Sequence, residues 1–404
     1  MITNKGALND VLILDLTRFL AGPYCTMMLG DMGAQIIKVE QKENGDETRG
    51  MGPFINGDPN ESGYFKSINR NKKGITLNLK SQKGKEVFLD LIKNVDVVVE
   101  NFRPGTMEKL GLGWDILHEV NPSLIYGAIS GFGHYGRYKD RAAFDLIGQA
   151  MGGIMSVTGF PDREPIRAGV AIGDMVSGIS LSTGILAALH YRNKTGVGQK
   201  IDISIVDTLV SLMTVPMNSY NMAGTVVTSA GNRMPNTAYP SDSFKGGDGK
   251  YFVMSVANDK AWGSLCRVMD REDLISDERT YKNSLRAKNY EFVREQIEKW
   301  AADKSCKDIV ELLMKAKIAA AEIFTIPQVA EDPHIAGDRE MFIDVEYPRV
   351  GKIRVTNSHY KMSETMPQFY MPSPDLGEHN KEIYGGFLGY SDEKIEELIS
   401  EGAI

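Results

Sequence analysis

The sequence predicts an α/β protein with a large Rossmann-like parallel-sheet domain and a smaller α/β domain. In the first half of the chain, short apolar runs alternate with helical stretches of roughly 10–15 residues, as in a parallel sheet covered by helices on both faces. The length of 404 residues favours two domains, because single hydrophobic cores rarely grow so large. Ligands of such sheets bind where the strands end and lead into helices.

The strands predicted in the first half are short apolar or alternating runs. In chain order they are Val11–Asp15, Ala34–Glu40, Ile75–Leu79, Val97–Glu100, Leu124–Ile129 and Lys200–Val206. A helical stretch at Pro23–Asp31 follows the first run, and an amphipathic helix at Ser81–Val95 begins with a serine cap. The large domain is therefore predicted to begin with residues 1–215.

The second half has a different pattern. Residues 216–248 lose periodicity and gain small, polar and proline residues, which indicates a linker between domains. Residues 249–322 contain the strand YFVMSV and two amphipathic helices, so we expect the small domain there. Residues 323–404 hold two further strands, MFIDVEYP and KIRVTN, and are predicted to return to the large domain.

The composition excludes several classes of protein. The net charge of −7 gives no support for nucleic-acid binding, and we recognise no membrane span or signal peptide. Cys25, Cys266 and Cys306 are widely spaced, which argues against a disulfide framework or zinc site and favours a reducing, cytoplasmic compartment. The chain contains no GxxxxGK[ST] motif and no GxSxG motif, and no GxGxxG follows the first strand.

One segment, Arg167–Leu189, places a carboxylate at the start of a long apolar helix. Gly173 and Gly178 flank Asp174 and keep neighbouring side chains small. The free amides and dipole of a first helical turn stabilise a carboxylate as the anion. An approachable anion can act as a nucleophile, but the same position also suits an aspartate that merely caps the helix.

Cations also follow predicted strands. Arg103 and Lys109 lie where a strand gives way to a helix, and Lys80 ends the run ITLNLK. Arginine and lysine near a helix N-terminus suit a phosphorylated ligand. Each of them is also compatible with an ordinary solvated surface charge.

Several motifs, in order and over essentially the whole chain, resemble one known family. They are DLTRFLAGP at Asp15–Pro23, LGDMGAQIIKVE at Leu29–Glu40, NRNKKGITLNLKSQKGKE at Asn69–Glu86, VENFRPGTMEKLG at Val99–Gly111, the Asp174 helix, KTGVGQKIDISIVD at Lys194–Asp207 and PDLGEHNKEI at Pro374–Ile383. The family is that of the class III coenzyme A (CoA) transferases, which includes formyl-CoA transferase and crotonobetainyl-CoA:carnitine CoA-transferase.

The resemblance implies an acyl-CoA:carboxylate CoA-transferase in which Asp174 is the nucleophile and forms a covalent aspartyl intermediate. It implies CoA thioester as substrate, no tightly bound cofactor, no metal, and an interlocked homodimer whose active site lies between the large domain of one subunit and the small domain of its partner. Asp145 matches an acidic position near the nucleophile, where it either orients the substrate or caps the following helix. The family's CoA contacts map onto Arg18, Phe19, Ala21, Leu77, Lys80, Asn101, Phe102, Arg103, Lys109 and Arg141.

Departures from the family pattern bear on the substrate. Formyl-CoA transferase has a glutamine and a tyrosine where this chain has Leu20 and Phe144, and a glycine-rich flap where this chain has Gly231–Asp242. Gln41 replaces a basic residue that is frequent in the family, with Lys42 beside it. These changes disfavour formate and oxalate and favour a larger or more apolar acyl group. A 2-methylacyl-CoA racemase is an alternative, although Phe144 stands where its histidine should be. A non-catalytic CoA-binding protein is another, although Asp174 is present.

Overall fold

The computed structural model describes residues 6–233 and 238–404. Contacts between Cα atoms divide the chain into two compact units. The larger unit comprises Met1–Ile154, Arg167–Asn218 and Gly337–Ile404, and the smaller unit comprises Met155–Ile166 and Ser219–Ala336. Residues 234–237, within the segment that departs from the family's flap, lie outside the described residues.

The larger unit is built on a six-stranded sheet in which every strand pairs with its neighbours in parallel. The strands are β1 (Leu12–Asp15), β2 (Gln35–Glu40), β3 (Lys72–Thr76), β4 (Val97–Glu100), β5 (Ile125–Ser130) and β6 (Lys200–Ser204). Their order across the sheet is β3-β2-β1-β4-β5-β6, with Asp15 opposite both Lys38 and Val99. The order reverses between β1 and β4, which places a crevice at the carboxyl ends of these two strands. The predicted parallel sheet is confirmed.

Helices connect and cover the strands of the chain. The α-helices are α1 (Ala21–Asp31), α2 (Gly63–Ile68), α3 (Gln82–Ile92), α4 (Thr106–Lys109), α5 (Trp114–Val120), α6 (Asp145–Met151), α7 (Ile154–Val157), α8 (Ile172–Thr195), α9 (Ile205–Leu212), α10 (Thr214–Ala223), α11 (Asp259–Val268), α12 (Asn283–Lys288), α13 (Tyr290–Ala301), α14 (Cys306–Lys315), α15 (Ile326–Glu331) and α16 (Asp392–Ser400). Short 3₁₀ helices lie at Glu47–Gly50, Ile55–Gly57 and Glu272–Ile275, and π-helical segments at Pro333–Asp338 and Lys381–Phe387.

The two faces of the large sheet bury two separate cores. Leu14 and Val98 point to the face covered by α3 and α5, whereas Ile13, Val97 and Val99 point to the face covered by α1, α8 and α9. Successive side chains of a strand alternate between faces, so a strand buried on both sides becomes a continuous apolar run such as VVVE in β4.

Two predicted strands have different boundaries in the structure, and polar contacts explain both differences. The predicted run Ile75–Leu79 is wrong by three residues, because β3 begins at Lys72, whose ammonium is fully buried against Asp15 at 2.9 Å. The predicted Lys200–Val206 strand ends at Ser204, because the Ser204 hydroxyl accepts a hydrogen bond from the Asp207 amide and starts α9. The predicted Ser81 cap is confirmed, since its hydroxyl accepts from the Gly84 amide.

The smaller unit contains an antiparallel sheet and its own core. The strands β7 (Ser241–Lys245), β8 (Tyr251–Ser255) and β9 (Ala319–Glu322) are ordered β7-β8-β9. Trp262 and Phe252 are buried there among side chains of α11, α13 and α14. Strand β7 lies within residues 216–248, which are predicted to be a linker because their sequence shows no regular periodicity.

The C-terminal part of the chain packs against the edge strand of the large sheet. Strands β10 (Phe342–Tyr347) and β11 (Gly351–Thr356), both predicted, form an antiparallel hairpin. The His379 amide then donates to the Gly74 carbonyl of β3, and the Asn380 carboxamide oxygen accepts from the Thr76 amide. The exposed edge of β3 is thereby covered, which removes a template for pairing with another chain.

Helix α8 is unusual in its length and apolarity. By length and composition its 24 residues could cross a membrane, which the sequence analysis did not recognise. Core helices of globular proteins meet the same criterion, and Leu181, Ile185 and Leu189 of α8 are buried against the large sheet. This packing accounts for the buried apolar residues of α8.

Candidate active site

Asp174 lies in the first turn of α8, but it does not cap the helix. The helix begins at Ile172 after the N-cap residue Ala171, which makes no capping hydrogen bond with its side chain. Asp174 is the third helical residue, so the interpretation of Asp174 as an N-cap aspartate is wrong. Its carboxylate is free for other uses.

The amides at the start of α8 are occupied by a second carboxylate. Asp145 Oδ1 accepts hydrogen bonds from the amides of Gly173 at 2.7 Å and Asp174 at 3.4 Å, and Asp145 Oδ2 accepts from the Gln149 side chain at 2.7 Å. The Gln149 oxygen in turn accepts from the Ala168 amide. Asp145 therefore fixes the N-terminus of α8 from outside that helix, a role that neither of the two sequence-based alternatives foresaw.

This arrangement reverses the expected electrostatics of Asp174. The sequence suggested that the helix amides would stabilise its anion, but those amides serve Asp145 instead. Burial, and then the nearby negative charge of Asp145, raise the pKa of Asp174 to about 7. Asp174 is thus a carboxyl group that exchanges its proton near neutral pH, and its anion is poorly stabilised and correspondingly reactive.

A cavity of about 240 Å³ has Asp174 in its wall. The structure brings seven of the predicted CoA contacts to this cavity: Arg18, Phe19, Ala21, Asn101, Phe102, Arg103 and Arg141. They come from the loops after β1, β4 and β5, at the reversal of strand order. Leu20 and Phe144 also line the cavity, and the ring of Phe144 meets that of Phe19 edge-on with centroids 5.8 Å apart.

A second cavity, of about 550 Å³, lies at the carboxyl ends of β1, β2 and β3. Leu77 and Lys80 line it, while Arg18 and Phe102 line both cavities. The two cavities therefore adjoin, and together they could hold an extended ligand. Lys109 and Asp145 line neither of them.

Gln41, which stands where the family often has a basic residue, lies in the wall of the second cavity. The side chain of Gln41 donates to the Gly45 carbonyl at 3.3 Å. Lys42, its neighbour, lies in the cavity wall and its ammonium reaches the Ile399 carbonyl at 3.5 Å. The cavity thus retains the cations Lys42 and Lys80 despite the neutral Gln41.

Hydrogen bonds tie the first two loops of the site together. The Asn101 side chain accepts from the Arg18 amide at 2.9 Å and donates to the Arg18 carbonyl at 2.7 Å. Phe19 has a positive φ of 63°, and its amide donates to the Asp46 carboxylate at 3.3 Å. Asp46 is itself buried in an ion pair with Lys38 at 3.0 Å. The loop conformation is therefore imposed by buried polar groups beneath it.

Tyr64 is a candidate site residue that sequence reasoning missed. It lies in α2, and its pKa is raised by burial and then by the charge of Asp174. Its phenol is therefore close enough to the carboxylate to feel its charge. Tyr64 is far from Asp174 in sequence and belongs to a short helix without a distinctive motif, so only the folded chain reveals the proximity.

The wall of the Asp174 cavity bears on the racemase alternative. Among the described residues that line this cavity there is no histidine to serve as a second acid–base group, and Phe144, which precedes Asp145 in the sequence, lies in the wall. Proton removal from the α carbon and return on the opposite face need two such groups.

Comparisons with known proteins identify the family of this chain. A model of the family described as CoA-transferase family III matches residues 8–380. A succinyl-CoA:mesaconate CoA-transferase of Haloarcula hispanica is 41% identical over 94% of this chain and 96% of its own. A succinyl-CoA–D-citramalate CoA-transferase of Chloroflexus aurantiacus is 36% identical over 98% of both chains. A formyl-CoA:oxalate CoA-transferase of Rhodopseudomonas palustris is 34% identical over 98% of this chain and 97% of its own.

A solved structure is also similar. The crystal structure of a CaiB/BaiF family protein from Brucella suis superposes with a TM-score of 0.84 at 34% identity, covering 94% of this chain and 99% of that one. With a family match over most of the length and relatives of shared chemistry, the chain belongs to CoA-transferase family III and is an enzyme that moves CoA from an acyl-CoA to a carboxylate.

Proposed function

We propose that Asp174 is the nucleophile of this transfer and that it carries the acyl group and then CoA in turn. The observation that carries the proposal is the position of Asp174 in the wall of a cavity whose other walls hold Arg18, Arg103 and Arg141. A thioester lying in this cavity would bring its carbonyl carbon to the carboxylate, while the anionic part of CoA meets the cations.

The steps balance without any other reactant. The Asp174 carboxylate attacks the thioester carbonyl, the carbon–sulfur bond breaks, and CoA thiolate leaves behind an acyl-aspartyl anhydride. The thiolate then attacks the aspartyl carbonyl and releases the donor acid, which leaves an aspartyl-CoA thioester. The acceptor carboxylate attacks this thioester, and the expelled thiolate finally takes the new acyl group and frees Asp174. Water must be kept out, because each intermediate can hydrolyse.

We further propose that donor and acceptor are acids larger than formate and oxalate, with succinyl-CoA among the donors. The relatives at 41% and 36% identity are named for succinyl-CoA. Arg18 is paired with Glu47 at 2.6 Å, whereas Arg103 has no ion pair within residues 6–233 and 238–404. If the other cations hold the anionic part of CoA, the Arg103 guanidinium would be available for a second carboxylate. Leu20 and Phe144 supply apolar walls that suit a carbon chain between two carboxylates.

The test is replacement of Asp174 by alanine and by asparagine. We expect both variants to lose transfer between succinyl-CoA and a panel of mono- and dicarboxylic acids by at least about a thousandfold while still binding CoA. Asp115→Asn, an exposed change in α5, is the matched control and should retain activity. Incubation with succinyl-CoA followed by hydroxylamine should modify Asp174 of the unaltered enzyme, as read by mass spectrometry. Transfer at an undiminished rate without the carboxylate would contradict the proposal.

We propose, in addition, an interlocked homodimer in the cytoplasm. The family resemblance supports the dimer, and so do the exposed apolar side chains of α10, where Tyr220 is 59% and Met222 81% exposed and a partner could cover them. The three cysteines of the described residues are unpaired thiols, as expected in a reducing compartment. The partner would complete the active site with its small domain.

A further inference from the structure

A buried carboxylate lies directly behind the loop that lines both cavities. Glu100 is the last residue of β4 and only 1% exposed, and it is followed by Asn101, Phe102 and Arg103. The Phe102 amide donates to Glu100 Oε2 at 2.7 Å. An amide that donates to an ionised acceptor forms a charge-assisted bond, roughly twice as strong as a neutral one.

The other oxygen of Glu100 meets groups from two further elements. The Tyr126 hydroxyl of β5 donates to Glu100 Oε1 at 3.0 Å. His134 Nε2, from the loop after β5, lies 3.6 Å from the same oxygen and has no closer hydrogen-bond partner. That loop continues to Arg141 and Phe144 of the Asp174 cavity, so Glu100 contacts both ligand-facing loops.

The proton on His134 can be placed from its second nitrogen. His134 Nδ1 lies 3.1 Å from the ammonium of Lys200, which can only donate. Nδ1 is therefore the acceptor and the proton of the neutral ring is on Nε2, directed at Glu100. Burial, and then the Lys200 charge, oppose a second proton on this ring and lower the pKa of His134.

The charge of Glu100 changes near neutral pH. Burial raises its pKa to about 7, against the hydrogen bonds from Phe102 and Tyr126 and the positive charge of Lys200, with a small further rise from Glu108. Asp202, whose carboxylate accepts from the His134 amide at 2.8 Å, completes the charged groups around His134. Above this pH the Phe102 amide faces an anion, and below it a neutral carboxyl group.

We propose that Glu100 is a positioning residue for CoA: its ionised carboxylate holds the Asn101–Arg103 loop in the conformation that binds the CoA thioester, and its protonation loosens that loop. The inference rests on the proposed use of these cavities by CoA, but not on the role of Asp174. Binding of CoA, rather than chemistry at the nucleophile, is the step that Glu100 controls.

The experiment measures CoA affinity calorimetrically between pH 6 and 8.5 in an Asp174→Ala background, which removes the titration of the nucleophile. At pH 8.5, Glu100→Gln should weaken CoA binding by about tenfold, because the anionic acceptor of the Phe102 amide is lost. At pH 6 the two proteins should bind alike, since Glu100 is then protonated in the parent. Taking the ratio of affinities at each pH cancels the titration of the CoA phosphates. Glu119→Gln, an exposed change of the same kind in α5, should leave affinity within twofold at every pH.

A second variant keeps the test decisive if Glu100→Gln does not fold. Tyr126→Phe removes one donor to the carboxylate and disfavours its charge, so the rise in CoA affinity should move to higher pH. Any of three results would overturn the inference. The first is a loss of CoA affinity in Glu100→Gln that is equal at every pH, and the second is a CoA affinity of Glu100→Gln that is unchanged at pH 8.5. The third is a pH dependence of CoA affinity in Tyr126→Phe that is the same as in the parent. Failure of the unaltered enzyme to transfer CoA would instead count against the proposed function and leave the binding result standing.

Discussion

At the scale of single residues, the carboxylate that we propose as the nucleophile lies where its negative charge is poorly stabilised. Asp174 is largely buried beside a second carboxylate, and its pKa is raised to about 7. Because the raised pKa leaves less anion below pH 7, a reaction that needs the anion slows by up to tenfold for each pH unit of acidification. The same destabilisation makes the anion a stronger nucleophile above that pH.

Asp145 offers a direct check of this interpretation. Asp145→Asn keeps an oxygen to accept from the Gly173 amide but removes the negative charge that raises the pKa of Asp174. We therefore expect the acid limb of the pH dependence of kcat/KM for succinyl-CoA to move to lower pH. Asp140→Asn, an exposed change in the loop before α6, is the control and should leave the limb in place. An acid limb that stays at the same pH or moves to higher pH in Asp145→Asn would contradict the electrostatic role of Asp145.

The sequence located some site residues better than others. Asp174 and Arg103 could be predicted because each stands at a junction between a strand or loop and a helix. The hydrogen bonds of Asp145 to the start of α8 could not, since they join residues 28 and 29 positions apart. Tyr64 and Glu100 were missed for a similar reason: their significance depends on burial beside groups from other elements, which no local pattern records.

At the scale of elements, helix α8 is positioned by its close approach to α1. A Cβ atom placed on Gly178 would lie 2.6 Å from the Ala21 carbonyl oxygen and 3.2 Å from the ring of Tyr24. Only glycine permits this separation without a shift of one helix, because the nearest obstacle is backbone. The contact places the Asp174 turn beside the Arg18–Ala21 loop.

Replacement of Gly178 should therefore disturb both stability and the site. We expect Gly178→Val to lower the free energy of unfolding by about 1–3 kcal/mol, as overpacking does in well-packed cores, and to raise KM for acyl-CoA. Chemical denaturation monitored by circular dichroism measures the first effect. Gly386→Ala is the control, because a Cβ atom there meets nothing within 4 Å. Equal stability of the two variants would show that α8 does not depend on this approach.

Element boundaries show where sequence patterns succeed. The run VVVE predicted β4 with its correct ends, because a strand buried on both faces needs an uninterrupted apolar sequence. Strand β3 was displaced in the prediction because Lys72 and Lys73 do not resemble core residues. The buried pair between Lys72 and Asp15 satisfies that charge, and only the folded chain provides it.

At the scale of the whole molecule, the proposed interlocked dimer makes a measurable claim. The particle in solution should have twice the 44.7 kDa chain mass by light scattering at all practical dilutions. Because interlocked chains cannot part without unfolding, tagged and untagged dimers mixed after purification should not exchange subunits over days, although they should do so after denaturation and refolding. Rapid exchange under native conditions would exclude interlocking, and a monomeric mass would exclude the dimer.

The sequence predicted the fold class and the return of residues 323–404 to the large domain, but not the contacts by which these residues cover the edge of β3. Alternating strands and helices sufficed for the parallel sheet. The covering of β3 by Asn380 and its neighbours joins residues about 300 positions apart. The motif that contains Asn380 marks the family but does not indicate which strand it contacts. Contacts between residues so far apart leave no periodic pattern in the sequence from which they could be predicted.

Arg18 and Phe102 border both cavities, so the arm of a bound CoA would pass between them. A thioester of a short thiol that lacks the nucleotide could still present its carbonyl to the carboxylate, but it would leave the larger cavity empty. The binding energy of the nucleotide, which lies far from the reacting bond, would then not be available to stabilise the transition state. If CoA binds as we propose, its nucleotide would therefore do more than identify the substrate: its binding energy would help a small acyl group to reach the transition state.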